Sequence, residues 1–151
     1  MVKSGVICLF IGEYVHTLDS KNRIIMPSKF REDLGDSFIV TKGLDGCLTV
    51  YKMEQWKTLL EKLEQLPNTK KEARLYIRGL TAKATECLCD TQGRIQLPSF
   101  LVKEADLLKQ CVFVGVADHV ELWSKERWDA YYEDASATFD DIAESLTEFL
   151  K

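Results

Sequence analysis

At 151 residues the chain has the length of one domain and enough of it to bury a sizeable core. With 46% apolar and 29% charged residues it is globular rather than disordered. The net charge of −4 at first argues against a nucleic-acid partner, but its distribution weakens that argument. Residues 129–151 hold seven acids against Lys151, a net of −6, which leaves +2 on residues 1–128.

No run of about 18 apolar residues is present, so a membrane span is not expected. The start resembles a signal peptide only superficially. Its apolar run is short and interrupted, and no Ala-x-Ala-like site precedes Glu13. The cysteines at 8, 47, 87, 89 and 111 are odd in number and contain no Cys-x-x-Cys, which suits a reducing, cytoplasmic compartment.

Taken in order, residues 1–9 have no echo elsewhere and read as an extension. Glu13 to Leu18 is a β-like run, Asp19 to Asn22 a turn cluster, and Ile24 to Met26 a second run closed by Pro27. This pattern predicts a hairpin. Pro27-Ser28 opens a short helix through Leu34, with Ser28 as its cap and Gly35 as its stop. Ser37 to Lys42 and Cys47 to Lys52 form a further hairpin through Gly43 to Gly46.

Two linking helices follow. Met53, Trp56, Leu59, Leu60, Leu63 and Leu66 keep a 3–4 spacing, so one face is buried. Pro67 breaks the pattern and Asn68 is expected to cap a helix over 69–80, with Lys70, Arg74 and Arg78 as a basic stripe.

The chain then repeats itself. Cys89-Asp90-Thr91-Gln92-Gly93-Arg94-Ile95-Gln96-Leu97-Pro98 matches Leu18-Asp19-Ser20-Lys21-Asn22-Arg23-Ile24-Ile25-Met26-Pro27, 71 residues earlier. Gly115 to Trp123 matches Gly43 to Tyr51 at an offset of 72, which implies one inserted residue between Pro98 and Gly115. Phe100 to about Leu108 is the second short helix; Cys111 to Val116 and His119 to Ser124 are the second outer hairpin. Ser124 can cap a helix through Trp128 and Tyr132. Thr138-x-x-Asp141 reads as a capping box for a last helix over 139–150, apolar on one face and acidic on the other.

Each unit is therefore β-β-α-β-β. Two copies are too few for a solenoid, so the units are expected to pair about a pseudo-two-fold axis, like a homodimer within one chain. The expected organisation is an extension (1–9), a first unit (10–53), linking helices (54–81), a second unit (82–124) and C-terminal helices (125–151), all in one compact domain.

Chemistry concentrates in the duplicated turn. Asn22 and Gly93 are the residue types that tolerate φ > 0, and Asp19 and Asp90 can accept backbone N–H bonds two residues on. Arg23 and Arg94 follow. An arginine on a two-stranded ribbon can read guanine in the major groove or clamp a phosphate. Equally, it can simply pair with the aspartate of its own turn. Lys29 and Arg31 could add phosphate contacts in the first copy; Phe100 and Val102 stand in their places in the second.

His16 aligns with Cys87 and Cys47 with His119, but their spacing matches no zinc pattern, so they read as packing residues. Phosphate loops, dinucleotide fingerprints and nucleophile elbows do not occur, so no enzyme, cofactor or small-molecule substrate is expected.

The motifs Gly12-Glu13-Tyr14-x-His16-x-Leu18-Asp19-x-Lys21-x-Arg23-x-x-x-Pro27, Glu86-Cys87-x-x-Asp90-x-x-Gly93-Arg94-Ile95-x-x-Pro98, Val114-Gly115 and Glu121-x-Trp123 resemble the MraZ family, over about Phe10 to Leu150. Its two units are related to the AbrB-type fold. The resemblance implies an α+β protein, a pseudo-two-fold swapped-hairpin β-barrel with flanking helices.

It also implies a sequence-specific transcriptional regulator. Such a protein would bind direct repeats in double-stranded DNA upstream of the bacterial cell-division and cell-wall operon, associate with the nucleoid, and assemble as a homo-oligomeric ring. Carried over, the DNA contacts fall on Arg23 and Arg94, with Asp19 and Asp90 shaping the turns and Lys21 nearby. The family pattern has Gly where Asn22 stands, and Asn holds the same backbone. The competing reading is a protein-interaction adaptor using the acidic C-terminal helices.

Overall fold

The computed structural model describes residues 9–150; the 1–9 extension lies, but for Leu9, outside the described residues. The first unit comprises β1 (Glu13–Thr17), β2 (Arg23–Ile25), α1 (Ser28–Leu34), β3 (Phe38–Lys42) and β4 (Leu48–Lys52). The links are α2 (Met53–Glu64) and α3 (Lys71–Ala82). The second unit comprises β5 (Thr85–Cys87), β6 (Arg94–Gln96), α4 (Ser99–Glu104), β7 (Gln110–Val116) and β8 (His119–Ser124). Then come α5 (Lys125–Ala137), α6 (Phe139–Ser145) and a 3-10 turn, Thr147–Leu150.

The fold is α+β. Six antiparallel strands lie in the order β1-β7-β8-β4-β3-β5, and β2 pairs with β6 in a separate ribbon. The outer hairpins β3-β4 and β7-β8 form as expected. The first hairpin does not: β1 lies on β7 and β2 on β6, so both strands flanking the Asp-x-x-x-Arg turn pair with the other unit. β5 likewise lies on β3. The expected barrel is not closed by these pairings, which leave β1 and β5 as the two edges.

The registers reveal the symmetry. β4 meets β8 around the pair Thr49↔Glu121, and β2 meets β6 around Ile24↔Ile95. Both are pairs of repeat-equivalent residues, so one pseudo-two-fold relation describes the sheet and the ribbon. The ladders also correct the repeat alignment. Lys52 and Ser124 are 72 apart, but their partners Phe38 and Cys111 are 73 apart. Two residues are thus inserted before β7, and one is lost from the hairpin turn that follows. Gly43 and Gly115 are not equivalent. A Cβ on Gly115 would lie 2.5 Å from the Phe10 carbonyl carbon, so this glycine admits the incoming backbone of 10–12.

The main core is made by both units. Phe10, Ile24, Met26, Phe30, Phe38, Ile95, Leu97, Leu101 and Phe113 are all within 2% of complete burial. Phe30 receives Phe10 and Tyr14 edge-on, at centroid distances of 5.6 and 5.2 Å. A second cluster packs α2 and α3 on Ile39 through Trp56, Leu63 and Leu80. The buried Thr41 hydroxyl donates to the Leu80 carbonyl at 2.6 Å and ties α3 to the sheet. In a third cluster Trp128 of α5 covers Trp123, Val112 and Val114.

Several ends differ from expectation. Ser28 and Ser99 are the first helical residues, not caps; a proline precedes each, with its φ preset for that position. α4 stops at Glu104 and α3 starts at Lys71, with Asn68 accepting from Arg74 only through its carbonyl. Ser124 does cap α5, accepting from the Arg127 N–H. The Thr138 box does not form: its hydroxyl turns back to the Ala135 carbonyl, and α6 ends at Ser145. The apolar face expected there is uncovered, with Phe139 67% and Leu150 76% exposed.

Candidate functional site

Each Asp-x-x-x-Arg segment is a closed ring of hydrogen bonds, and the two are superimposable bond for bond. Asp19 Oδ1 accepts from the N–H of Lys21 at 2.9 Å and of Arg23 at 2.8 Å, while Oδ2 accepts from Arg23 Nε at 2.8 Å. Asp90 Oδ1 accepts from Gln92 and Arg94, both at 2.9 Å, and Oδ2 from Arg94 Nε at 2.8 Å. The backbone closes behind them: Asp19 N–H donates to the Arg23 carbonyl, and Asp90 N–H to that of Arg94. Asn22 at φ 61° and Gly93 at φ 79° supply the left-handed residue that the turn requires.

Both carboxylates are held below the ordinary Asp range, chiefly by the backbone N–H of Arg23 or Arg94 and then by the guanidinium. They stay ionised throughout the neutral range. The ion pair uses only Nε, leaving the four N–H groups on the two Nη atoms of each arginine for a further acceptor. The aspartate thereby fixes an outward fork without consuming it.

The β2-β6 ribbon determines where the forks stand. Arg23 is opposite Gln96 and Ile25 opposite Arg94. Side chains alternate along a strand, so Arg23, Ile25, Arg94 and Gln96 share one face. Ile24 and Ile95 share the other and are 1% and 0% exposed, sealed in the core. From strand spacing and rise, the two arginine Cα atoms are about 8 Å apart. The expected pair of hairpin tips is therefore one platform with two arginines.

Lys21 is exposed at the first turn, and its carbonyl accepts from Gln96 Nε2 at 3.0 Å, which joins the first turn to the second unit's strand. Gln96 and Ile25 were not singled out from the sequence; pairing the two equivalent isoleucines would have put them on the arginine face. Lys29 is exposed on α1.

The Cys/His pairs are separately engaged. His16 stands opposite Cys111 in the β1-β7 ladder. His119 contacts Asp118 at 2.7 Å and Glu121 at 3.7 Å. Burial raises the thiols of Cys87 and Cys111, each to about 11. Among the described residues, no three His, Cys, Asp or Glu side chains are grouped to hold a metal ion. No helix of the described residues is long and apolar enough to cross a membrane.

Comparison with known proteins agrees with the duplication. The family model described as "MraZ protein, putative antitoxin-like" matches residues 9–79 and again 80–150. The chain is 52% identical over 141 residues to the "Transcriptional regulator MraZ" of Ligilactobacillus salivarius, covering 93% of this chain and 99% of the relative. It is 52% identical over 140 residues to the protein of that name from Clostridium tetani, covering 93% and 98%. With that of Natranaerobius thermophilus it shares 50% over 141 residues, covering 93% and 99%.

Proposed function

The chain belongs to the MraZ family, whose members are transcriptional regulators rather than enzymes, and from that premise we propose how it engages DNA. Arg23 and Arg94 are the residues that read the duplex, held by Asp19 and Asp90, with Lys21 beside them. The observation carrying this reading is the shared face of the β2-β6 ribbon: two arginines with free Nη groups, about 8 Å apart, on a two-stranded element of the size that the major groove admits. One subunit engages one short stretch of duplex rather than two separate ones.

The exchange of β1 and β5 between the units supports reading residues 10–53 and 82–124 as two halves of one swapped-hairpin barrel domain. The target is the set of direct repeats upstream of the cell-division and cell-wall operon, and the protein acts in the cytoplasm, at the nucleoid.

Copies assemble head-to-tail into a closed ring, since heterologous contacts either close or run on as a filament. The uncovered α6 face and 3-10 turn of one copy dock on α3 of the next. Beside α3 runs a groove of about 520 Å³ whose Leu44 and Leu75 are 70% and 71% exposed. Lys70, just before α3, and Lys71 and Arg78 on it are opposite in charge to Asp140, Asp141, Glu144 and Glu148. The same acidic apolar segment motivates the adaptor reading, in which it binds a different protein.

The test is a fluorescence-anisotropy titration on the DNA upstream of the chain's own gene, against a shuffled duplex. The native repeats should bind more tightly, and Arg23→Ala, Arg94→Ala together should abolish that preference. Equal binding by wild type and double variant overturns the reading. Light scattering on the same samples should show an oligomer that Leu75→Asp dissociates; a wild-type monomer overturns the ring.

A further inference from the structure

The two turns are alike in their hydrogen bonds but not in their charge. Asp19 neutralises Arg23 and Asp90 neutralises Arg94. The first turn retains a net positive charge through Lys21. Gln92 occupies the matching position in the second, as its N–H bond to Asp90 mirrors that of Lys21 to Asp19, so the second turn is neutral by itself.

A cation from the other half of the chain stands over that neutral turn. Arg31, in the last turn of α1, donates from Nε to the Met26 carbonyl at 3.0 Å. The Met26 N–H in turn donates to the Gly93 carbonyl at 2.9 Å, so one residue's backbone holds both the arginine and the turn. The guanidinium covers Gly93, which is buried. A Cβ there would lie 2.6 Å from Arg31 Cζ and closer still to Nη1. Its charge is felt on both sides of the seam, where it adds to the burial that lowers the pKa of His16 and opposes the burial that raises that of Cys89. The position equivalent to Arg31 is Val102, packed on the core, and the position equivalent to Gly93 is Asn22. Val102 therefore offers no reciprocal cation to the first turn, where Lys21 is already present.

We propose that Arg31 is a phosphate-binding residue of the DNA face, replacing across the pseudo-two-fold the positive charge that Gln92 leaves out of the second turn. Gly93 is then glycine for two reasons: it supplies the positive φ, and it leaves room for Arg31. The two ends of the platform carry equal net charge from unequal sequences. Arg23 and Arg94 give discrimination; Lys21 and Arg31 give the sequence-independent attraction.

This inference rests on the reading of the β2-β6 ribbon as the DNA face. Its test uses the full chain and the duplex upstream of its own gene, with anisotropy titrations from about 50 to 200 mM salt. Arg31→Ala should reduce the slope of log affinity against log salt by about 0.9, one phosphate's worth, and weaken native and shuffled duplexes alike. Gly93→Asn keeps a residue that tolerates the turn but displaces Arg31, and should cause the same loss. Gln92→Lys, which recreates the first turn's charge, should restore the slope in the Arg31→Ala background.

A wild-type protein that does not bind the duplex refutes the DNA face itself. Salt-dependent wild-type binding with an unchanged slope in Arg31→Ala refutes only the role of Arg31. A loss that Gln92→Lys does not restore means that Arg31 acts through packing, and also overturns the proposal.

Discussion

Ile24 and Ile25 are chemically identical neighbours with opposite fates, and substituting each in turn tests the architecture beneath the arginines. Ile24 is 1% exposed and stands against Ile95, itself fully buried, while Ile25 is 40% exposed on the arginine face. Truncating a buried isoleucine to alanine costs about 2–5 kcal/mol, from lost burial plus the cavity left behind. Truncating an exposed one away from special features changes stability by about 0.5 kcal/mol or less. With a urea m-value of about 1–3 kcal/mol/M, Ile24→Ala should lower the unfolding midpoint by on the order of 1–2 M and Ile25→Ala by a small fraction of that. Because the ribbon sits on the pseudo-two-fold, Ile95→Ala should match Ile24→Ala. As the two touch, the double variant should depart from additivity by about 0.5–3 kcal/mol. Urea titrations at one fixed protein concentration provide the assay. Equal costs at 24 and 25 would refute the argument. A larger cost at 25 would mean a one-residue slip of register, which would turn every side chain of the ribbon over and bury the arginines.

Two glycines should respond in opposite directions to alanine. Gly115→Ala drives a Cβ into the backbone of 10–12 and should lower stability by about 1–3 kcal/mol, whereas Gly79, in α3 with nothing within 4 Å of its would-be Cβ, should gain up to about 1 kcal/mol; thermal unfolding distinguishes the two. His119 should make stability fall with rising pH. Its pKa is raised, first by the Glu121 carboxylate beside it and then by Asp118, so its contribution is complete below the ordinary histidine value and lost as pH climbs through the raised one. His16, lowered by burial and by Arg31, titrates with the opposite sign. The quantity to measure is therefore the difference in urea midpoint between wild type and His119→Asn from pH 6 to 8.5, which should shrink as pH rises.

The sequence carried the elements better than their partners. The break at Gly43 to Gly46 located the first outer hairpin and the repeat its counterpart, and Ser124 was legible as a cap because its hydroxyl answers a local N–H. β2 and β6 have three residues each, too few for alternation to state a register. Turn chemistry at Asp19 to Asn22 pointed to a hairpin, yet the flanking strands separate, because Ile24 must meet Ile95 in a core that neither unit closes alone. The Thr138 box failed for a comparable reason. Its residues fit the pattern, but α6 is left exposed among the described residues, so packing does not hold the cap geometry against the continuing α5 turn. Arg31 was visible as a cation beside the motif; that it serves the other unit's turn could not be seen without the ribbon.

From the turn alone Arg23 and Arg94 stood between two roles, ion pair or DNA contact, and under the proposed reading the geometry lets one arginine fill both. An arginine free to swing would bind any phosphate and would have to be ordered on binding. Fixed through Nε, each fork is already oriented before DNA arrives, and its charge is cancelled at long range. Pre-ordering improves discrimination, while cancellation removes much of the sequence-independent attraction that supplies most affinity for DNA. On a chain of net charge −4, the proposed DNA face would give one subunit a selective but weak grip. Linking several such platforms raises the effective concentration of each for its own stretch of duplex, without requiring any of them to bind tightly. If the ring forms as proposed, neutralised turns, an acidic C-terminal segment with its apolar residues bare, and a basic helix beside an apolar groove belong to one design: discrimination in the subunit, affinity in the assembly.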